Sequence, residues 1–152
     1  MLEVQVKGRS PRLSKRLTCQ AVRFYASMLM STRLMNALDI TVVYKSLDPG
    51  IDAEISADNK NPPRSFDVLC RPNFSRRKTL IRLAHEMVHI KQYATGELKE
   101  YIRFPNLMKY RGEQYNMNDT WEGDDDYYDS GWEIEAFGRE YGLYIRFLRT
   151  IT

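Results

Sequence analysis

From Arg76 to Tyr93 the chain runs without a glycine or proline, and this stretch carries both of its histidines, His85 and His89, four residues apart. The apolar pattern makes the stretch a helix lying at the edge of a core. Leu80, Leu83, Ala84, Met87 and Val88 form an apolar stripe at helical spacing, and Ile81, His85, His89 and Gln92 line up beside it. The flanks agree. Upstream, the strand-like Phe66-Asp67-Val68-Leu69-Cys70-Arg71 ends at the breaker Pro72, and Ser75 stands where an N-cap is expected. Residues four apart on an α-helix face the same way, so the two ring nitrogens can converge on one metal ion.

Glu86, the neighbour of His85, points off the axis of the pair, to where it could take a proton from a water activated by such an ion. His85-Glu86-Met87-Val88-His89 is therefore H-E-x-x-H, a zinc-hydrolase signature. Zinc in hydrolytic sites usually has three protein ligands and one open position. With no third histidine, the remaining ligand is expected to be a carboxylate.

A last helix is predicted from about Trp132 to Leu148 with Ser130 as its cap, and it offers Glu133 and Glu135. Its expected apolar face is Ile134, Phe137, Tyr141, Tyr144, Ile145 and Leu148. Glu133 shares a bordering stripe with Phe137, Glu140 and Tyr144. Glu135 falls instead with Gly138, Arg139, Gly142 and Arg146, on a side expected to be more solvated. The spacing favours Glu133 as the third ligand and leaves Glu135 to pair with Arg139.

A chain of 152 residues is long enough for one domain with a substantial core. No segment is apolar for long enough to span a bilayer, and the N-terminus lacks a signal-peptide pattern, so no membrane partner and a cytoplasmic location are expected. Cys19 and Cys70 lack metal-ligand spacing and read as reduced thiols. The net charge of +3 is too mild to imply nucleic acid by itself. Arg9, Arg12, Lys15 and Arg16, in residues 1–13 and just beyond, suggest a flexible basic arm, and Arg71, Arg76, Arg77, Lys78 and Arg82 surround the start of the histidine helix. These clusters read either as a weak nucleic-acid contact or as solvated surface, and the latter is favoured.

The organisation is α+β. A helix is expected from about Ser14 to Asn36, followed by a strand at Asp39–Lys45, a turn at Asp48-Pro49-Gly50 and an alternating strand from Ile51 to Ala57. The strand Phe66–Arg71 and the histidine helix follow. Tyr101 to Asn118 is mixed in signal, and the acidic run Glu122, Asp124, Asp125, Asp126 and Asp129 reads by default as a solvated loop.

Taken with Gln92, Tyr110-Arg111-Gly112-Glu113-Gln114-Tyr115 and Trp132-Glu133-Ile134-Glu135-Ala136-Phe137, the histidine motif resembles the glutamate-zincin metallopeptidases. The likeness is greatest to their small single-domain forms, the SprT-like and IrrE-like zinc proteins. In such proteins the ligand glutamate commonly stands three residues before a small residue, as Glu133 stands before Ala136. Positions 92 and 95 hold Gln and Thr, so the longer metzincin pattern is absent. The resemblance implies a single zincin-like domain, with an N-terminal helix and a small mixed sheet ahead of the two ligand helices. It further implies one Zn²⁺ on His85, His89 and Glu133, with Glu86 as general base in the hydrolysis of a peptide or protein substrate. The strand carrying Phe66, Val68 and Cys70 would be the edge on which an extended substrate lies. Tyr127 or Tyr128 would stabilise the transition state, and Gln92 would orient a ligand imidazole. The alternative is a metal-stabilised regulatory or binding module with weak or no hydrolysis.

Overall fold

The computed structural model describes residues 1–101, 104–116 and 125–152, with the backbone alone at 104–106 and 125–126. Four short segments build the first sheet: β1 (Glu3–Lys7), β2 (Asp39–Tyr44), β3 (Ala53–Ala57) and β4 (Ser65–Cys70). Their order is β1-β2-β4-β3, parallel at β1/β2 and β2/β4 and antiparallel at β3/β4. The alternation is clean where one face is covered. Ile40, Val42 and Tyr44 in β2 and Phe66, Val68 and Cys70 in β4 are buried, with their neighbours half-buried or exposed.

Three helices share the core with that face: α1 (Lys15–Leu29), α3 (Arg76–Ala94) and α5 (Gly131–Ile151). Tyr25, Leu80, Leu83, Met87 and Phe147 are fully buried at the centre, each withdrawal contributing about 1.5–3 kcal/mol. Tyr25 satisfies its hydroxyl by donating to the Leu80 carbonyl at 3.0 Å, which ties α1 to α3. The Ser75 hydroxyl accepts from the Lys78 amide at 3.1 Å and so caps α3 as the sequence suggests.

Several expectations change. Residues 1–13 are not a flexible arm: β1 pairs with β2, and Leu2 and Leu13 are buried. The helix expected from Ser14 to Asn36 is two helices, because Met30 is extended and the Ser31 hydroxyl accepts from the Leu34 amide to start α2 (Thr32–Asn36). Most consequential, β4 is not an edge strand. Its backbone is paired on both sides, and Phe66, Val68 and Cys70 face the core; the edges of this sheet are β1 and β3, and β3 is the one beside β4.

A second, antiparallel sheet of β5 (Leu98–Tyr101), β6 (Phe104–Tyr110) and β7 (Glu113–Asn116) follows α3. Arg111 (φ 49°) and Gly112 (φ 88°) form its tight left-handed turn. Leu98, Tyr110 and Trp132 make a small apolar cluster that docks this sheet on the start of α5. The short α4 (Asp125–Tyr128) precedes α5. Cys19 and Cys70 are free thiols, and no helix among the described residues is long and apolar enough to cross a membrane.

Candidate metal centre

Helices α3 and α5 run antiparallel, so that His85 faces Glu140 and His89 faces Glu133. Between them His85, His89 and Glu133 are all buried. His85 Nε2 and His89 Nε2 are 3.2 Å apart, Glu133 Oε1 is 2.9 Å from His89 Nε2, and Glu133 Oε2 is 3.5 Å from His85 Nε2. Tetrahedral zinc with bonds of about 2.0–2.1 Å holds its donor atoms about 3.3 Å apart. The triangle matches that spacing, and the group could hold a metal ion.

The outer nitrogens decide what the inner ones are. His85 Nδ1 lies 3.0 Å from Glu140 Oε2, and His89 Nδ1 lies 2.8 Å from Gln92 Oε1. The Gln92 amide cannot be turned round, because its Nε2 donates at 2.9 Å to both the Trp132 carbonyl and Glu135 Oε1. Both Nδ1 atoms therefore face acceptors and carry hydrogen. In the neutral rings both Nε2 atoms are then bare lone pairs, turned toward each other and toward a carboxylate. Such an arrangement calls for a cation at its centre, a metal or protons.

Electrostatics lead to the same conclusion. Burial pushes the His85 pKa down, but the Glu133 and Glu140 carboxylates outweigh it and raise it to about 9. His89 is likewise raised, against burial, by Glu133. Burial pushes the Glu133 carboxyl up, and the two imidazoles bring it down to about 2. Anions that hold a proton so firmly on the rings favour a metal cation in its place.

Glu86 is different. Its carboxylate is buried beside the two rings and raised by that burial, and no donor among the described residues hydrogen-bonds it. It lines a cavity of about 400 Å³ together with His85, His89, Glu133, Tyr127 and Phe137. The exposed edge strand β3 forms another wall of that cavity. A second hollow of about 410 Å³ shares Ile55, Tyr93 and Leu98 with the first, so the two follow one another along β3.

Compared with protein-family models, with curated proteins and with solved structures, the chain matches none of them. What the site can do is therefore argued from its own geometry.

The other candidate residues fall out as follows. Tyr127 donates its hydroxyl to Glu133 Oε1 at 3.0 Å. Tyr128 is exposed at the cavity mouth, its ring 5.6 Å from that of Phe137. Ser130 stands at the N-cap of α5 but caps nothing with its side chain, because its hydroxyl donates to the Tyr127 carbonyl at 2.8 Å. In the acidic run, Glu122 and Asp124 lie outside the described residues and Asp129 is exposed. The two basic clusters adjoin: Ser10 Oγ donates to the Pro72 carbonyl and Arg12 Nη1 to that of Asn73. Several of these cations are engaged within the fold. Arg71 donates to the carbonyls of Leu47, Asp48 and Ile51, and Lys78 pairs with Asp52.

The face expected for α5 is corrected. Ile134, Phe137 and Tyr141 are exposed, and the buried side is Trp132, Glu133, Ala136, Leu143, Tyr144 and Phe147. Glu133 therefore sits within the buried face rather than beside it. Glu135, expected to be solvated, is largely buried and pairs with Lys91 at 2.9 Å as well as with Arg139 at 3.5 Å. The sequence reading missed Glu140 as the partner of His85. Its signal was present, since Glu140 lies two helical turns beyond Glu133 on the stripe those residues share.

Proposed function

We propose that this chain is a zinc-dependent peptidase of the small glutamate-zincin type, with His85, His89 and Glu133 holding the ion. The observation that carries the reading is the Glu86 carboxylate, buried, without a protein donor among the described residues, and lining the same cavity as the three converging ligands. A metal that only braced the fold would need no such group, and closed structural sites prefer four protein ligands. A zinc ion held there supplies Lewis acidity toward water and a carbonyl. Glu86 accepts a proton from the attacking water and delivers it to the departing amine; its raised proton affinity suits both halves of that task. Glu140 and Gln92 keep the two imidazoles presenting Nε2. Tyr127, whose hydroxyl already reaches the Glu133 carboxylate, is better situated than Tyr128 to donate to developing negative charge.

The substrate class follows from the edge strand. Among the described residues no strand pairs with the outer side of β3, and hollows lie along its length. An extended peptide added there gains main-chain hydrogen bonds with little demand on sequence. The role first expected of Phe66, Val68 and Cys70 passes to Ala53–Ala57. The test is cleavage of a diverse library of unfolded peptides by the zinc-loaded protein and by Glu86→Gln, read by mass spectrometry. Cuts made only by the unmodified protein are expected. A zinc-loaded protein that cuts nothing would move the reading to a binding module.

A further inference from the structure

Glu135 lies two residues beyond Glu133 and hydrogen-bonds none of the three candidate ligands, yet it is the most heavily engaged carboxylate in the described part of the molecule. Its Oε1 accepts from Gln92 Nε2 at 2.9 Å and from the Tyr110 hydroxyl at 3.0 Å. Its Oε2 accepts from Lys91 Nζ at 2.9 Å, with Arg139 Nε at 3.5 Å and Arg111 Nη2 at 3.7 Å. Gln92 is fully buried, and its two amide hydrogens are committed to Glu135 and to the Trp132 carbonyl. That commitment leaves Oε1 as the only face it can show to His89 Nδ1, 2.8 Å away. Removing the Glu135 acceptor would leave one buried amide hydrogen unpaired and lower the cost of an amide flip, which would turn an N–H toward His89. Tyr110 is itself fixed in place. Its ring lies against Gly131, where a Cβ would come 2.7 Å from Tyr110 Cε2, so nothing larger than glycine fits without displacing the ring.

We infer that Glu135 is a positioning residue of the metal centre: through Gln92 it fixes His89 as the Nδ1–H tautomer with Nε2 turned inward, and through Tyr110 it ties that setting to the second sheet. The inference rests on the metal reading above, but its test does not need peptide hydrolysis. Zinc affinity is measured by chelator competition, and the imidazoles are followed by ¹⁵N NMR, where the chain's two histidines give a simple spectrum.

Glu135→Ala is expected to weaken zinc binding about 10–100-fold and to shift the His89 ring signals while those of His85 stay. Glu135→Gln keeps an acceptor for Gln92 and is expected to lose less than about tenfold. A merely bracing role predicts otherwise, because both variants remove the same charge from beside Lys91, which keeps Glu97 at 2.8 Å, and should then behave alike. In a Gln92→Ala background, Glu135→Ala should weaken zinc binding no further. Should Glu135→Ala not fold, Glu135→Asp withdraws the acceptor by one methylene and carries the same expectations. Parent-like affinity with an unmoved His89 signal, or equal losses in the Gln and Ala variants, would overturn the relay alone. Failure of the unmodified protein to bind zinc would overturn the metal reading and the relay with it.

Discussion

The two histidines of α3 sit in matched positions and are held in different ways. His89 is oriented by a neutral amide, Gln92, locked deep in a network that includes Glu135, Lys91 and Tyr110. His85 is oriented by a carboxylate, Glu140, nearer the surface, whose other neighbour is Arg82 at a loose 3.7 Å. An amide fixes direction and tautomer without adding charge. A carboxylate does both, raising the basicity of the ring it holds. One half of the site is thus held by geometry and the other by charge, and the two should fail differently.

The largest effect is expected where the halves meet. Glu133→Ala removes the carboxylate that both rings face and should abolish stoichiometric zinc binding, while Glu135→Ala should weaken binding without abolishing it; metal content after dialysis checks this. Full zinc retention by Glu133→Ala would contradict the ligand assignment.

The next effects separate charge from geometry. Glu140→Gln should weaken zinc binding about tenfold. It should also bring the titration of His85 in the metal-free protein down from about 9 toward the ordinary 6.5. Gln92→Ala should weaken zinc about 10–100-fold while leaving the His85 titration in place. A ¹⁵N titration of the two rings distinguishes these outcomes.

Stability against pH follows the same division. In the metal-free protein His85 is raised from 6.5 to about 9, so its pairing contributes fully below 6.5 and is lost as pH rises through about 9. Glu133 and Glu135 are lowered from 4.5 to about 2; their contributions are full above 4.5 and fade as pH falls toward 2. Thermal unfolding across pH should therefore show greatest stability between the two limbs, and zinc should flatten the alkaline one by replacing the proton. The smallest effect belongs to Arg139→Ala. Its exposed ion pair with Glu135 should contribute less than about 1 kcal/mol to thermal stability and leave zinc affinity unchanged.

Much of this was legible in residue spacing. The histidine helix, its Ser75 cap and the strand before it depend on neighbours in sequence, and they stand as read. What could not be read depends on distant partners. Phe66, Val68 and Cys70 alternate identically whether β4 is an edge or an interior strand; only the arrival of β2 and β3 on its two sides decides. The arm expected over residues 1–13 rested on the basic cluster Arg9, Arg12, Lys15 and Arg16, whereas β1 within it takes its place by pairing with the distant β2. On α5 the buried stripe differs from the most hydrophobic one. Ile134, Phe137 and Tyr141 stay exposed, whereas Glu133 and Glu135 are drawn inward by cations and imidazoles that α3 and the second sheet supply. Glu133 rather than Glu135 is the carboxylate that meets the two imidazoles, and its stripe mattered through the histidines it faces.

The central claim is that two imidazoles and one carboxylate converge on a single ion. X-ray absorption of the zinc-loaded protein tests it most directly. The account predicts one equivalent of zinc with only nitrogen and oxygen neighbours at about 2.0–2.1 Å, including two imidazoles, and loss of that signature in Glu133→Ala. A sulfur neighbour at about 2.3 Å, or an unchanged spectrum in the variant, would contradict it.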